Sequence, residues 1–296
     1  MSVSNKFIGT GVAIITPFKD DLSIDFPAIE RHVEYLISNG VNYLVILGTT
    51  GESVTQSDYE KNEVVKFIIE KVDNRVPLVL GIGGNSTNSV IDKIQKSDFK
   101  RIDAILSVSP FYNKPTQEGI YQHFKAIAEA SPVPIILYNV PSRTGSNMTA
   151  ETTLKLAHEF ENIIAIKEAS GNISQAMYIL KDKPKDFLVI SGEDALTLPL
   201  ISTGVSGVIS VVANALPKEF STMVNLALEN KIDKAQKIHY KILEFIDTLF
   251  IESNPAGVKA ALKILNIVEN NLKLPLTPVS EKTYQKLENL LSKIRK

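Results

Sequence analysis

The sequence has 296 residues, which is enough for one large domain or two medium ones and excludes a small scaffold held together by disulfides. Its 32 Lys and Arg against 33 Asp and Glu leave a formal net charge of −1, which favours a small neutral or anionic ligand over nucleic acid or an anionic membrane. Because the chain has no cysteine, thiolate metal sites, iron–sulfur clusters and a cysteine nucleophile are excluded as well.

The N-terminal residues 1–6 are polar and lack the apolar core of a signal peptide, and no later segment reaches about 18 uncharged apolar residues. We therefore expect a protein that is neither secreted nor membrane-spanning and that resides in the cytoplasm. Further along the chain, short runs rich in β-branched residues predict eight strands, at residues 12–15, 44–47, 78–80, 104–108, 135–137, 163–166, 188–190 and 207–211.

Segments of helical period separate these runs, and several carry helix-start signals. Asp25 and Pro27 precede the first such segment, Ser57 precedes the second and Thr149 precedes a later one. Strands that are apolar on both faces and alternate with helices predict an α/β protein whose parallel sheet closes into a (β/α)8 TIM barrel. A doubly wound open sheet is the alternative.

After residue 228 the strand runs stop, and three helical patterns follow at residues 232–250, 256–265 and 280–294. This change predicts a C-terminal helical extension that packs on the barrel. We expect residues 1–229 to form the catalytic barrel and residues 230–296 to form an α-helical domain.

A lysine follows the sixth predicted strand, at the end of the barrel where such folds carry their chemistry. Lys167 should lie in the barrel mouth with little water around it. Burial lowers the pKa of a lysine by up to about 3–5 units, which makes the amine a nucleophile for a ketone and allows a Schiff base to form. The alternative is a structural ion pair, for which Glu168 is the obvious partner, although adjacent strand residues point to opposite faces.

Schiff-base chemistry also needs a group that carries protons. Tyr138 follows the fifth strand and Tyr112 the fourth, and the hydroxyl of Thr49 could link the two phenols. Arg143 offers a planar set of donors that suits a substrate carboxylate. Each tyrosine could instead be a packing residue with its hydroxyl at the surface, and the arginine could form an interface or surface ion pair.

Neither a metal nor an organic cofactor is expected. The four histidines lie within helical patterns, and none forms the HExxH spacing of a zinc site. The glycine-rich segment 81–84 is followed by Ser86 where a dinucleotide-binding loop has its third glycine, and no GxSxG elbow is present.

Several long motifs, in this order, resemble the pyruvate-dependent Schiff-base aldolases, the family that includes N-acetylneuraminate lyase and dihydrodipicolinate synthase. The match is closest to the synthase branch and covers essentially the whole chain. The motifs are GTTGES at 48–53, YNKP at 112–115, YNVPSRTG at 138–145, IKEASGN at 166–172, GVISVVAN at 207–214 and NPAGVK at 254–259.

The resemblance implies catalytic roles that agree with the reading of single residues. Lys167 matches the Schiff-base lysine and Tyr138 the phenol that transfers protons beside it, while Thr49 and Tyr112 would complete the relay. In this family the tyrosine that matches Tyr112 reaches into the site of a neighbouring subunit. The resemblance therefore implies a tight dimer as the smallest competent unit, and a homotetramer built as a dimer of such dimers.

The resemblance also implies how the substrates bind. Thr50 matches the residue that holds the pyruvate carboxylate, and the backbone at Gly192 and Ile209 would line the pocket. Arg143 matches the receptor for the carboxylate of the second substrate. The implied reaction condenses pyruvate with L-aspartate-4-semialdehyde to 4-hydroxy-tetrahydrodipicolinate, the first step of the diaminopimelate and lysine branch, without a cofactor or metal.

Two alternatives remain beside this reaction. An N-acetylneuraminate lyase, or another pyruvate-dependent 2-keto acid aldolase, would share Lys167 and Tyr138 but would not need Arg143. A non-catalytic binding or structural member of the fold would have lost at least one of the lysine, the two tyrosines or Thr49, and all four are present.

An allosteric site for lysine is a further feature of synthases that lysine inhibits. The corresponding positions here are Ser53, Asp58, Lys61, Asn85, Ser89 and Phe111. Ser53 and Asn85 fit the pattern, but Ser89 stands where a glutamate would face the ligand's ammonium, and Lys61 adds a like charge. We therefore expect feedback by lysine to be weak or absent.

Overall fold

The eight β-strands close into a barrel in the computed structural model, which describes residues 3–295. All strand pairs are parallel and follow chain order, and the last strand pairs with the first, so that Gly9 lies beside Gly207. The predicted (β/α)8 barrel is thus confirmed, and the open-sheet alternative is wrong. The strands are β1 (Gly9–Ala13), β2 (Tyr43–Ile46), β3 (Leu78–Gly81), β4 (Ala104–Val108), β5 (Ile135–Asn139), β6 (Ile163–Glu168), β7 (Leu188–Ser191) and β8 (Gly207–Ser210).

Helices cover the outside of the barrel and form the C-terminal extension. They are α1 (Phe26–Ser38), α2 (Asp58–Val72), α3 (Thr87–Lys96), α4 (Gln117–Ala130), α5 (Pro141–Thr144), α6 (Ala150–Glu159), α7 (Ile173–Asp182), α8 (Thr197–Ser202), α9 (Pro217–Leu228), α10 (Ile232–Leu249), α11 (Ala256–Ile264) and α12 (Glu281–Ile294). Short 3₁₀ turns add to these after β2, β7 and β8.

The helix-start signals read from the sequence cap helices as expected. The carboxylate of Asp25 accepts the backbone N–H of Ala28 at the start of α1. Ser57 and Glu60 form a reciprocal capping box at the start of α2. Such caps satisfy backbone donors that have no partner within the helix, and so they fix where each helix begins after its strand.

The first strand differs from its prediction, since β1 starts at Gly9 and ends at Ala13 instead of covering residues 12–15. Its N-terminal half has no apolar run because the chain there passes close to a large ring. A Cβ atom on Gly11 would lie 2.2 Å from the ring of Tyr43, which fills the barrel interior together with Phe7. The rings of Phe7 and Tyr43 meet edge to face at 5.4 Å and close the barrel at the N-terminal ends of its strands.

The C-terminal helices share an apolar layer with the barrel. α10 packs on α9, and α12 packs on α10 and α11. One continuous core cluster includes Phe220 of α9, Phe245 of α10 and Leu287 of α12. The predicted domain boundary falls between α9 and α10, and the division into two domains stays a prediction. No helix of the described residues is long and apolar enough to cross a membrane.

Candidate active site

A cavity of about 240 Å³ opens at the C-terminal ends of the barrel strands. It lies where a (β/α)8 barrel places its chemistry. Six of the eight residues predicted for catalysis or substrate binding line this cavity: Lys167, Tyr138, Thr49, Thr50, Arg143 and Gly192. Residues that are far apart in the sequence are thus brought to one mouth by the parallel strands.

The strand register sets the lysine beside the first tyrosine. Lys167 of β6 pairs in register with Tyr138 of β5, and the two side chains therefore emerge side by side on the inner face of the barrel. The lysine is 6% exposed, and its Nζ atom lies 4.4 Å from the centroid of the Tyr138 ring. Among residues 3–295 no carboxylate forms an ion pair with Lys167. Its amine is therefore buried, next to a phenol and free to meet a ligand.

The neighbouring carboxylate is held on the other face of the sheet. Glu168 accepts hydrogen bonds from the side chains of Asn139 at 3.1 Å and Gln175 at 2.8 Å, and from the backbone N–H of Ser170 at 2.7 Å. These donors satisfy the buried carboxylate without a cation. The structural ion pair that we considered for Lys167 and Glu168 does not form.

The turn after β2 places two threonines differently. Thr50 is 2% exposed, and its hydroxyl accepts a hydrogen bond of 3.0 Å from the side chain of Asn254. Thr49 is exposed to solvent and lines the cavity with its neighbour. The turn ends at Glu52, a non-glycine residue in the left-handed region at φ 52°. Such a backbone conformation costs free energy and persists only where contacts hold it.

A buried ion pair supplies those contacts. Glu52 pairs with Lys259 of α11, and both side chains are fully buried. Lys259 also donates a hydrogen bond of 2.8 Å to the backbone oxygen of Asn271 and lies 4.1 Å from the centroid of the Phe18 ring. Burial lowers the pKa of Lys259 to about 8, against the opposing effect of the Glu52 carboxylate. The C-terminal extension thus fixes the turn that carries Thr49 and Thr50.

Two opposite charges face the cavity from other loops. Arg143 lies in the short helix α5 and forms no ion pair within the described part of the chain. Glu193 follows β7 and is half-buried. Burial raises the pKa of Glu193, as does the nearby carboxylate of Asp194, while Lys167 and Arg143 act in the opposite direction.

The residue next to Glu193 has a structural role. Asp194 is 3% exposed and accepts backbone N–H groups of Val211 at 3.0 Å and Val212 at 3.2 Å. Burial raises the pKa of Asp194, which these hydrogen bonds partly offset. One oxygen of its carboxylate therefore joins the chain after β7 to the chain after β8.

Gly192 leaves room for the lysine. A Cβ atom on this residue would lie 3.0 Å from Cε of Lys167 and 2.5 Å from Cβ of Ala169. Real side chains do not pack as closely as the second distance, so a larger residue would displace its neighbours. The glycine that the sequence singled out for its backbone is thus also required by packing.

Two predicted residues lie outside the cavity lining. Ile209 of β8 is 1% exposed and packs in the barrel interior, while Val211 lines the cavity. Tyr112 is 87% exposed on the loop after β4, with a φ of 74°. The single chain therefore brings Lys167, Tyr138 and Thr49 together but leaves Tyr112 pointing into solvent.

The positions matched to an allosteric site lie on loops and helix starts at the same end of the barrel. Asp58 and Lys61 form an ion pair of 3.0 Å on the first turn of α2. Lys61 lowers the pKa of Asp58 through this contact. The carboxylate of Asp58 is therefore already paired with a lysine.

Asn254 and Phe250 line the cavity although no role was predicted for either. Asn254 lies in the segment NPAGVK, which resembles the family but indicated no role for this residue. The signal that could have found the buried contacts is Lys259, a charged residue flanked by apolar residues in the helix AGVKAALKI. A lysine in such a position needs a buried partner.

The fold and this cavity define a class, the lyases built on a closed (β/α)8 barrel with a buried lysine at its C-terminal mouth. More particularly, the chain belongs to the dihydrodipicolinate synthetase family, whose model matches residues 6–294.

Individual proteins agree with this assignment. The 4-hydroxy-tetrahydrodipicolinate synthase of Flavobacterium psychrophilum is 55% identical over 290 residues, which are 98% of this chain and 99% of that protein. The solved dihydrodipicolinate synthase of Acinetobacter baumannii, complexed with pyruvate, superposes with a TM-score of 0.94 at 40% identity over 97% of this chain and 99% of the other. A monomeric dihydrodipicolinate synthase variant superposes with a TM-score of 0.96 at 40% identity over 99% and 98% of the two chains.

Proposed function

We propose that the protein condenses pyruvate with L-aspartate-4-semialdehyde to 4-hydroxy-tetrahydrodipicolinate, the first step of the diaminopimelate and lysine branch. The observation that carries this proposal is the buried amine of Lys167, which has no carboxylate partner among residues 3–295 and lies beside Tyr138 in the cavity that Arg143 also lines. The names of the curated relatives support the same reaction, and they do not favour a sugar-acid lyase.

The chemistry begins with covalent capture of pyruvate. The Lys167 amine adds to the ketone carbon, and loss of water gives an imine. Removal of a methyl proton then gives an enamine, whose carbon forms a bond with the aldehyde carbon of the second substrate. The amino group of that substrate attacks the imine carbon, closes the ring and releases the Lys167 amine, so that one water leaves overall. Tyr138 lies close enough to the lysine to carry protons in these steps.

The substrate carboxylates have separate receptors in this proposal. The turn after β2 holds the pyruvate carboxylate through the hydroxyl of Thr50, near the amine that attacks the ketone, and the hydroxyl of Thr49 takes part in the proton relay. The guanidinium of Arg143, which forms no ion pair within residues 3–295, holds the carboxylate of the semialdehyde. The backbone at Gly192 completes the lining of the pocket, whereas Ile209 packs in the barrel interior outside this lining.

The decisive experiment compares two aldehydes. Purified protein with pyruvate and L-aspartate-4-semialdehyde should consume pyruvate, whereas N-acetylmannosamine should give no consumption. Borohydride reduction with pyruvate should add one reduced pyruvyl group to the wild type and to Lys96→Ala, which removes an exposed lysine, but not to Lys167→Ala. Preference for the sugar would move the protein to the lyase branch, and no labelling of Lys167 would refute the Schiff-base mechanism.

We further propose that the active unit is a tight dimer, assembled into a homotetramer, in which Tyr112 completes the site of the partner. Its 87% exposure and its position outside its own cavity support this arrangement. Val54, on the chain between β2 and α2, and Tyr59, on the first turn of α2, are also largely exposed, and interfaces cover residues of this kind. The existence of a monomeric variant among its structural neighbours makes the oligomeric state a matter for direct measurement.

Complementation tests the shared site. Lys167→Ala and Tyr112→Phe should each be poorly active alone. In a mixed dimer, one site combines an intact Lys167 with an intact Tyr112 from the other subunit, so mixing after dissociation should restore activity. Mixtures no more active than the sum of the two variants would show that Tyr112 does not cross between subunits.

Regulation and location follow as lesser proposals. The Asp58–Lys61 ion pair and the serine at position 89 leave little negative charge for the ammonium of free lysine, so saturating lysine should reduce turnover weakly or not at all. The other positions of that site are Ser53, Asn85 and Phe111.

As a biosynthetic enzyme of small metabolites, the protein is assigned to the cytoplasm. The barrel of residues 1–229 would carry the catalytic groups, and the helical domain of residues 230–296 would support it.

A further inference from the structure

The cavity that holds Lys167 is lined by a single carboxylate among residues 3–295, that of Glu193. The same residue also lines a neighbouring cavity of about 280 Å³, formed with Asp247 and Phe250 of the C-terminal extension. Glu193 therefore stands at the boundary between the catalytic cavity and the space beside it.

The backbone of Glu193 is fixed while its carboxylate is not. Its carbonyl oxygen accepts hydrogen bonds from the hydroxyls of Ser191 at 3.0 Å and Thr197 at 2.9 Å, and its N–H donates to Ser191 at 3.2 Å. Within the described residues the carboxylate itself has neither a hydrogen-bond donor nor an ion-pair partner. Asp194 differs, because two backbone N–H groups after β8 donate to one oxygen of its carboxylate. A half-buried carboxylate without a partner carries a desolvation cost that a cationic ligand would offset.

The charges around the cavity indicate which cationic group of a ligand the Glu193 carboxylate would bind. Lys167 and Arg143 are the cations that line the cavity. In the proposed reaction Lys167 bonds to pyruvate, and Arg143 binds the carboxylate of the second substrate. The second substrate is an α-amino acid, so its ammonium sits one carbon from that carboxylate. Once Lys167 has become a neutral enamine, Arg143 is the cation beside this ammonium, and the two would repel each other unless an anion faced the ammonium.

We propose that Glu193 is a specificity-determining residue that binds the α-ammonium of the second substrate, next to Arg143, which binds its carboxylate. This inference rests on the proposed function and deepens it, since it assigns the part of the substrate that distinguishes an amino-acid aldehyde from other aldehydes. Glu193 and Arg143 together form a complementary pair of charges for an amino acid. The enzyme therefore selects the amino-acid aldehyde when it binds, before the carbon–carbon bond forms.

The test uses two aldehydes that differ only in the amino group. L-Aspartate-4-semialdehyde carries it, and succinate semialdehyde has the same carboxylate and aldehyde without it. Wild type, Glu193→Gln and Glu193→Asp are compared by kcat/KM for the first aldehyde and by the inhibition constant of the second. Glu193→Gln should lower kcat/KM for the amino-acid aldehyde roughly 10- to 100-fold, the range of a lost charge-assisted hydrogen bond.

The preference between the two aldehydes decides the outcome. Glu193→Gln should bind succinate semialdehyde at least as well as the wild type, so the preference for the aldehyde with the ammonium should be lost. Glu193→Asp keeps the negative charge and should therefore retain part of the preference for the aldehyde with the ammonium. If Glu193→Gln keeps the preference of the wild type, even while both aldehydes bind equally less tightly, the proposal is overturned.

Two controls separate this result from other causes. Asp247→Asn removes a carboxylate from the neighbouring cavity and should leave the preference unchanged; an equal effect would indicate a general change in potential and would overturn the specific contact. Borohydride trapping of pyruvate should be unaffected by Glu193→Gln. If the wild type fails to use the amino-acid aldehyde at all, the proposed function itself is wrong, and this is distinct from a preference that survives the substitution.

Discussion

Replacing Lys259 with methionine removes one charge of the buried ion pair while keeping the length of the side chain. Both partners are completely shielded from solvent. After the substitution, Glu52 keeps only one described donor, the backbone N–H of Lys273 at 3.2 Å. The backbone oxygen of Asn271 also loses its partner. The variant therefore leaves a buried carboxylate without a cation and a carbonyl without a donor.

The expected loss follows from these contacts. Breaking a buried ion pair by removing one partner costs about 3–5 kcal/mol, because the remaining charge stays buried. Since folded domains are stable by only about 5–15 kcal/mol, Lys259→Met should lose a large part of the free energy of unfolding. Glu52→Gln/Lys259→Met removes both charges and should cost clearly less than the sum of the single variants.

Urea titration followed by circular dichroism measures these differences. The matched control is Lys96→Met, which breaks the exposed ion pair with Asp92 on α3 and should cost no more than about 1 kcal/mol. If Lys259→Met costs no more than Lys96→Met, or if the double variant is additive, the reasoning is refuted.

The same variant should also affect the site. Glu52 ends the turn that carries Thr50, so a looser turn should raise the KM for pyruvate more than it lowers kcat in the fraction that remains folded. If apparent kcat falls in proportion to the unfolded fraction and KM is unchanged, only the amount of folded protein has changed.

Three further variants test other parts of the structure. Gly192→Ala should lower kcat roughly 10- to 100-fold without unfolding the protein, because the new Cβ pushes against Cε of Lys167, and an unchanged kcat would contradict the packing argument. Tyr138→Phe should lower kcat by about 10²–10⁴, and full activity would exclude the phenol as the proton carrier. Burial lowers the pKa of His32 and of His123 from 6.5 to about 4. The unfolded chain therefore binds more protons between pH 6.5 and 4, and each histidine should remove about 1.4 kcal/mol of stability per unit as the pH falls through that range. In urea titrations, His32→Gln/His123→Gln should flatten this dependence; the same slope in wild type and variant would contradict it.

Much of the site was predictable because its residues directly follow apolar strands. Lys167 and Tyr138 end two such runs, and once the barrel is closed in chain order their strands are neighbours. The start of β1 was not predictable in the same way. Gly9 and Gly11 are required by the close approach of the chain to its neighbours, and small residues carry no signal of an apolar strand.

Contacts between distant segments explain the other differences. Asn254 donates to Thr50 across 204 residues of sequence, and no local pattern specifies such a pair. The exposure of Tyr112 likewise depends on the path of the loop after β4 and on a positive φ that is uncommon for a tyrosine. Residue types and spacing predicted the chemistry, whereas the partners of the buried polar groups required the structure.

The contacts between the C-terminal extension and the turn after β2 can form only late in the synthesis of the chain. A chain emerges from the ribosome N-terminal end first, and all eight strands have been made once Ser210 is in place. Asn254 and Lys259, the buried partners of Thr50 and Glu52, are added later. A chain that ends before residue 254 therefore contains every strand of the barrel but lacks both buried contacts that hold the turn after β2.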